Sequence, residues 1–251
     1  EEHVHSPSMT FQFSIQPDYL RQLHEKGFDV LSLANNHSFD YGLPALLHTR
    51  SLCILYSLVC GGTPAELDEY STQILQVGSK KVGIIFIHTV FKQPDVDTLK
   101  KLIEKLNQES DVQFSFVHWG VEYDLIHSTT QEDLAKIMID QGIDAVIGHH
   151  PHVVQDIGFY KNKPIFYSLG NFIFDQYFSN DVQEGLGVSL RFKKDSIEYV
   201  LVPFTSKETR SQPKMMEGIE KTALLSRILG SYSGLPFIDT ENGIIKVQDN
   251  E

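Results

Sequence analysis

Imidazoles and amides gather where apolar runs stop. Asn35, Asn36 and His37 follow the run Leu31 to Ala34 and precede Gly42; His118 closes "VQFSFVH" just before Trp119 and Gly120; His149, His150 and His152 close "IDAVIGHHPH" beside Gly148. Imidazole nitrogen with amide oxygen suits a borderline divalent transition metal such as Mn, Fe, Zn or Ni, and suits Ca or Mg poorly. The neighbouring glycines let backbone approach an ion or a phosphate closely. One histidine after a strand is ordinarily a hydrogen-bonded structural residue. Three strands that all stop this way argue for a site, because parallel strands carry their C-terminal ends to one edge of a sheet. His88, which ends "GIIFIH", is a weaker fourth candidate, since no glycine or second polar group accompanies it.

The elements that must present these residues alternate in period. A helix is expected from about Gln16 to Lys26, with Leu20 and Leu23 on one face and Gly27 as its stop. A buried strand over Asp29 to Ala34 then feeds the Asn-Asn-His loop, and a second helix runs from Leu43 into the segment "LCILYSLVC". That βαβ-like start is followed by two strands over residues 73–88 joined at Gly78-Ser79. Residues 95–110 form an amphipathic helix opened by an aspartate cap, with Leu99, Leu102, Ile103 and Leu106 on one stripe. "TTQEDLAKIMIDQG" is another helix, and residues 213–234 carry apolar positions at helical spacing, suited to packing on a sheet.

Composition bounds the rest. A chain of 251 residues can bury a substantial core, and a single α/β domain is expected. The 21 basic residues against 33 acidic ones give a net charge of −12, with no basic cluster beyond pairs such as Lys80-Lys81. Nucleic acid is excluded as a partner on that ground. A phosphate or polyanion remains admissible if a metal supplies local positive charge. The segment holding Cys53 and Cys60 is too short to span a bilayer and reads as buried core. Two cysteines neither build a disulfide scaffold nor match a zinc spacing.

Four blocks, "SLANNHSFDYG", "VHWGVEY", "IDAVIGHHPHVVQ" and "PIFYSLGNFIFDQ", resemble in order the CapA/PgsA capsule-biosynthesis proteins, the poly-γ-glutamate family within the calcineurin-like metallophosphoesterase superfamily. The resemblance runs from about Phe28 to Gln176. It implies a four-layer αββα sandwich with a site for up to two divalent metals, Mn, Fe or Zn, at the sheet edge. On that pattern Asn36 supplies an amide ligand, while His118, His149 or His150, and His152 supply imidazoles. His37, hydrogen-bonded by Asp40, would face the leaving oxygen as general acid while a metal-activated water attacks a phosphorus or a carbonyl. Asn35, Trp119, Glu122, Tyr123 and Asn171 are candidates for contacting substrate; Asn171 would otherwise close an Asx turn. The implied substrate is poly-γ-glutamate, another anionic polymer or a phosphoester, with capsule-synthesis membrane proteins as partners. The implied location is extracytoplasmic, anchored by a segment outside the visible chain.

One departure stands out: the family's Gly-Asp and Asn-Leu/Phe-Glu motifs, whose carboxylates hold or bridge the metals, do not occur here. The chain is therefore expected to lack its first strands, and a site of imidazoles and an amide alone should hold metal weakly or one ion at most. Glu1, Glu2 and the pair His3 and His5 are the nearby groups that could substitute, although a solvated loop is the simpler reading of that stretch.

Overall fold

The computed structural model describes residues 11–248, so Glu1, Glu2, His3 and His5 lie outside the described residues. The order is α1 (Asp18–Glu25), β1 (Val30–Ser32), α2 (Gly42–Leu55), β2 (Val59–Gly61), β3 (Thr72–Val77), β4 (Lys80–His88), α3 (Val96–Glu109), β5 (Val112–His118), α4 (Thr129–Asp140), β6 (Ala145–His149), β7 (Ile157–Tyr160), β8 (Lys163–Phe166), β9 (Glu184–Phe192), β10 (Ser196–Thr205), β11 (Lys214–Met215), α5 (Gly218–Leu229), β12 (Ile238–Asp239) and β13 (Ile244–Gln248). The architecture is mixed α/β with several sheets, the class expected from sequence. The chain forms two compact units. The first comprises residues up to Trp119 with Asp140–Asp144, and the second Gly120–Ile139 with the residues from Ala145 onward.

In the first unit β1 and β2 pair in parallel, Val30 opposite Val59 and Ser32 opposite Gly61. Strands β3 and β4 form the expected hairpin, turned at Gly78 with φ of +60°. Strand β5 then joins β4 in parallel, from Val82 opposite Val112 to His88 opposite His118. A parallel join needs a crossover, and α3 supplies it. The Asp95 carboxylate caps α3 by accepting from the Thr98 backbone N–H at 2.9 Å. Its buried stripe, Leu99, Ile103 and Leu106, lies against β4 so closely that a Cβ added at Gly83 would stand 2.7 Å from Leu106 Cγ.

The cysteine segment departs from expectation in one way. It is not wholly buried: Cys53 is 1% exposed, but Ile54 and Leu55 at the end of α2 are 80% and 67% exposed. A surface helix that is apolar nearly all round can bury only the face that packs. Cys53 and Cys60 are also joined in a disulfide between α2 and β2, with Cα atoms 6.1 Å apart. The bond closes a short loop beside β1, the strand that feeds the Asn-Asn-His loop. Cutting it with a Cys53→Ser/Cys60→Ser pair should lower unfolding stability by about 2 kcal/mol through the freed chain entropy. Urea midpoints of wild type with and without reductant should show the same loss; equal midpoints would mean the bond does not brace the unit.

In the second unit β6 and β8 are parallel, with Val146 opposite Ile165, and β7 folds back on β8. Strands β9 and β10 make a long hairpin, from Glu184 opposite Thr205 to Phe192 opposite Ile197, and β13 pairs along the other side of β10. Helix α5 buries Leu224, Leu225, Ile228 and Leu229. The helical reading of residues 213–234 is thus corrected at its start. Lys214 and Met215 pair with Thr205 and Phe204, because an open strand edge satisfies backbone groups that a helix following Pro213 would otherwise have to pair.

Candidate metal centre

Each unit presents its own donor set. In the first, the loop after β1 is folded by Asn35, whose Oδ1 accepts from the His37 backbone N–H at 2.9 Å while its Nδ2 donates to Ser32 O at 3.4 Å. That Asx turn leaves Asn36 buried, 4% exposed, with Oδ1 2.7 Å from His118 Nε2. An amide oxygen on the loop after β1 and an imidazole nitrogen at the end of β5, 82 positions apart in sequence, therefore meet in a hydrogen bond that His118 Nε2 donates. His37 turns elsewhere: its Nδ1 lies 2.9 Å from Asp40 Oδ2, which also accepts from the Phe13 backbone N–H at 2.9 Å. The carboxylate holds the Nδ1 proton, which makes Nε2 the nitrogen able to exchange one. Phe13 meets the His37 ring edge-on at 4.6 Å, and both line a cavity of about 410 Å³.

In the second unit β6 delivers the Gly-His-His-Pro-His turn. Glu122, His150 and His152 each bring a ligand atom within 4.8 Å of the others. The backbone reaches this arrangement by leaving ordinary ground: Tyr123, His150 and His152 have φ of 71°, 100° and 61°, a region non-glycine residues rarely enter. Such strain persists only where its surroundings enforce it, and it clusters at functional sites. The enforcing contacts are visible. The Tyr123 N–H donates to Pro151 O at 2.8 Å, tying the Glu122 loop to the histidine turn, and the Tyr123 ring stacks on His152 at 6.1 Å. His152 Nδ1 meets Asn171 Oδ1 at 2.7 Å, and Asn171 is anchored in turn by Val182 O at 3.1 Å and Gln176 Oε1 at 3.2 Å. An amide oxygen only accepts, so Nδ1 of His152 carries the proton and Nε2 carries the lone pair that a metal takes.

Several sequence expectations change at this level. Of the doubled pair, His150 joins the cluster and His149 lies outside it; desolvation alone pushes the His149 imidazole down to about 4. Trp119, expected in a substrate groove, is 1% exposed and belongs to the core. Asn35 uses its side chain on its own loop. Glu122, read as a substrate contact, stands among the imidazoles, so the donor set includes a carboxylate after all. The only signal for it in the sequence was its place four residues after His118. Gln176, which also donates to the Tyr123 hydroxyl at 3.0 Å, was not singled out. The residues fit a divalent transition metal: two imidazoles with a carboxylate in one unit, an amide oxygen with an imidazole in the other.

Among known proteins, the family described as "Bacterial capsule synthesis protein PGA_cap" matches residues 1–176. "Capsule biosynthesis protein CapA" of Bacillus anthracis is 36% identical over 181 residues, covering 65% of this chain and 44% of that protein. "PGA biosynthesis protein CapA" of Bacillus subtilis (strain 168) is 27% identical over 228 residues, covering 83% of this chain and 59% of that protein. The chain thus spans about half the length of these curated relatives. A hypothetical protein from Thermus thermophilus shares the fold with a TM-score of 0.51 at 16% identity, over 81% of this chain and 82% of that one.

Proposed function

The chain belongs to the bacterial capsule synthesis protein family, and from that premise we propose that it serves poly-γ-glutamate capsule synthesis or export through a metal-dependent site of metallophosphoesterase type. The observation that carries this reading is the Glu122, His150 and His152 cluster, built on strained backbone and oriented by Asn171. When bound, a divalent metal such as Mn, Fe or Zn would supply the Lewis acidity for hydrolysis of a phosphoester or γ-glutamyl bond, together with the positive charge an acidic chain needs to meet a polyanion. That need is concrete, because the chain carries a net charge of −12 and the polymer a carboxylate on every residue. In the first unit Asn36 and His118 offer a donor pair of their own, and there His37, with Asp40 fixing its tautomer, is the proton donor to a leaving atom. The Cys53–Cys60 disulfide supports placing the protein outside the cytoplasm, where such bonds persist. No helix among the described residues is long and apolar enough to cross a membrane.

The test uses a fluorescent γ-glutamate oligomer, with anisotropy reading binding in Mn²⁺ and in chelator, and size-exclusion chromatography reading polymer length. Binding should require Mn²⁺ and fall at least ~10-fold in His150→Ala/His152→Ala. Shortening that vanishes in His37→Ala would identify a hydrolase, and binding without shortening a polymer-handling protein. Binding that is absent, or equal in chelator, overturns the metal-dependent reading.

A further inference from the structure

His88 ends β4 directly opposite His118 at the end of β5, and in a parallel pair two residues in register project on the same face of the sheet. Their ring centroids are 5.7 Å apart. His88 is 7% exposed, and its Nδ1 lies 2.9 Å from Pro64 O. A carbonyl oxygen only accepts, so that contact places the ring proton on Nδ1. Nε2, turned away from Pro64 by the geometry of the ring, is sealed from solvent and has no hydrogen-bond partner among the described residues. Leaving a buried polar atom unsatisfied costs about 1–3 kcal/mol, and in a native chain such an atom calls for an explanation, an ordered water or an ion among them. Water would serve if it had two or more polar partners there. A metal would serve better, because it could take the place of the proton that His118 Nε2 shares with Asn36 Oδ1 at 2.7 Å, an imidazole and an amide oxygen both being suitable ligands.

We propose that His88 is a third protein ligand of the Asn36–His118 metal site, contributing Nε2 with the Pro64 carbonyl holding its tautomer. The inference rests on the metal-binding reading above. It gives this donor pair a further neutral nitrogen, and the carbonyl does for His88 what Asn171 does for His152.

The test titrates the whole chain with Zn²⁺ by calorimetry, with thermal unfolding measured with and without the ion, in wild type, His118→Ala, His88→Phe and His88→Gln. Phenylalanine fills the ring volume and removes the orphan nitrogen. We expect His88→Phe to keep the apo melting temperature at or above wild type while weakening one Zn²⁺ class at least ~10-fold, the same class that His118→Ala removes. The glutamine variant should weaken it as well. If His118→Ala removes a class that both His88 variants retain at wild-type affinity, the His88 assignment fails and the metal reading stands. If His118→Ala removes nothing, both fail.

Discussion

His152→Ala should weaken divalent metal binding in the second unit by at least ~100-fold, the largest functional effect expected of any single change. The histidine brings one of the three ligand atoms that come within 4.8 Å of one another, and among the described residues no fourth His, Cys, Asp or Glu joins that group. Its ring is also oriented in advance: Asn171 fixes the tautomer at 2.7 Å and the Tyr123 ring lies alongside, so less freedom is lost when a metal binds. A tenfold change in affinity is about 1.4 kcal/mol, so ~100-fold asks for about 2.7 kcal/mol, well within what one imidazole–metal bond contributes in a site of three. Asn171→Ala should cost less, about 10–100-fold, because it frees the ring without removing it. Calorimetry with Zn²⁺ or Mn²⁺ measures both. If His152→Ala binds as wild type does, the cluster is a hydrogen-bonded turn and no metal centre.

The second large effect is expected at a residue that is not itself a ligand, in Gly185→Ala. Gly185, the second residue of β9, bridges to Gly170, and a Cβ built on it would lie 2.3 Å from the Asn171 backbone oxygen and 2.1 Å from Phe204 Cε2. Real Cβ atoms do not approach that closely, and the carbonyl is not the end of a flexible side chain that could swing aside. Either β9 separates from β10, or the Asn171 segment moves. Overpacking of this kind costs on the order of 3 kcal/mol. The displaced Asn171 would also release His152, so metal affinity should fall together with stability. Urea denaturation and Zn²⁺ calorimetry on the same variant check the link. A loss of stability with unchanged affinity would mean that Asn171 is held by Val182 and Gln176 alone.

Much of the fold was legible because it is written in short-range periodicity. The hairpin at Gly78, the capped helix at Asp95 and the strands ending at His88, His118 and His149 all follow from patterns a few residues long. The tail was less legible. Lys214 and Met215 look helical in isolation and become a strand because β10 offers an open edge nearby in space but not in sequence. The disulfide was illegible for a related reason: the spacing of Cys53 and Cys60 does not say that a helix ends and a strand begins between them, which is what brings the two sulfurs together.

The sequence by itself determined which residue types stand at the strand ends: Asn36, His37, His118, and the turn from His149 to His152. Only the tertiary structure decided which of them lie near one another. In "HWGVEY" the strand has ended, so alternation no longer predicts direction, and left-handed backbone at Gly120 and Tyr123 sets Glu122 among the imidazoles while Trp119 stays in the core. His88 looked the weakest candidate because what accompanies it is 30 residues away in sequence. The register of β4 on β5 set it beside His118, and register is decided by packing along both strands, which no local pattern contains.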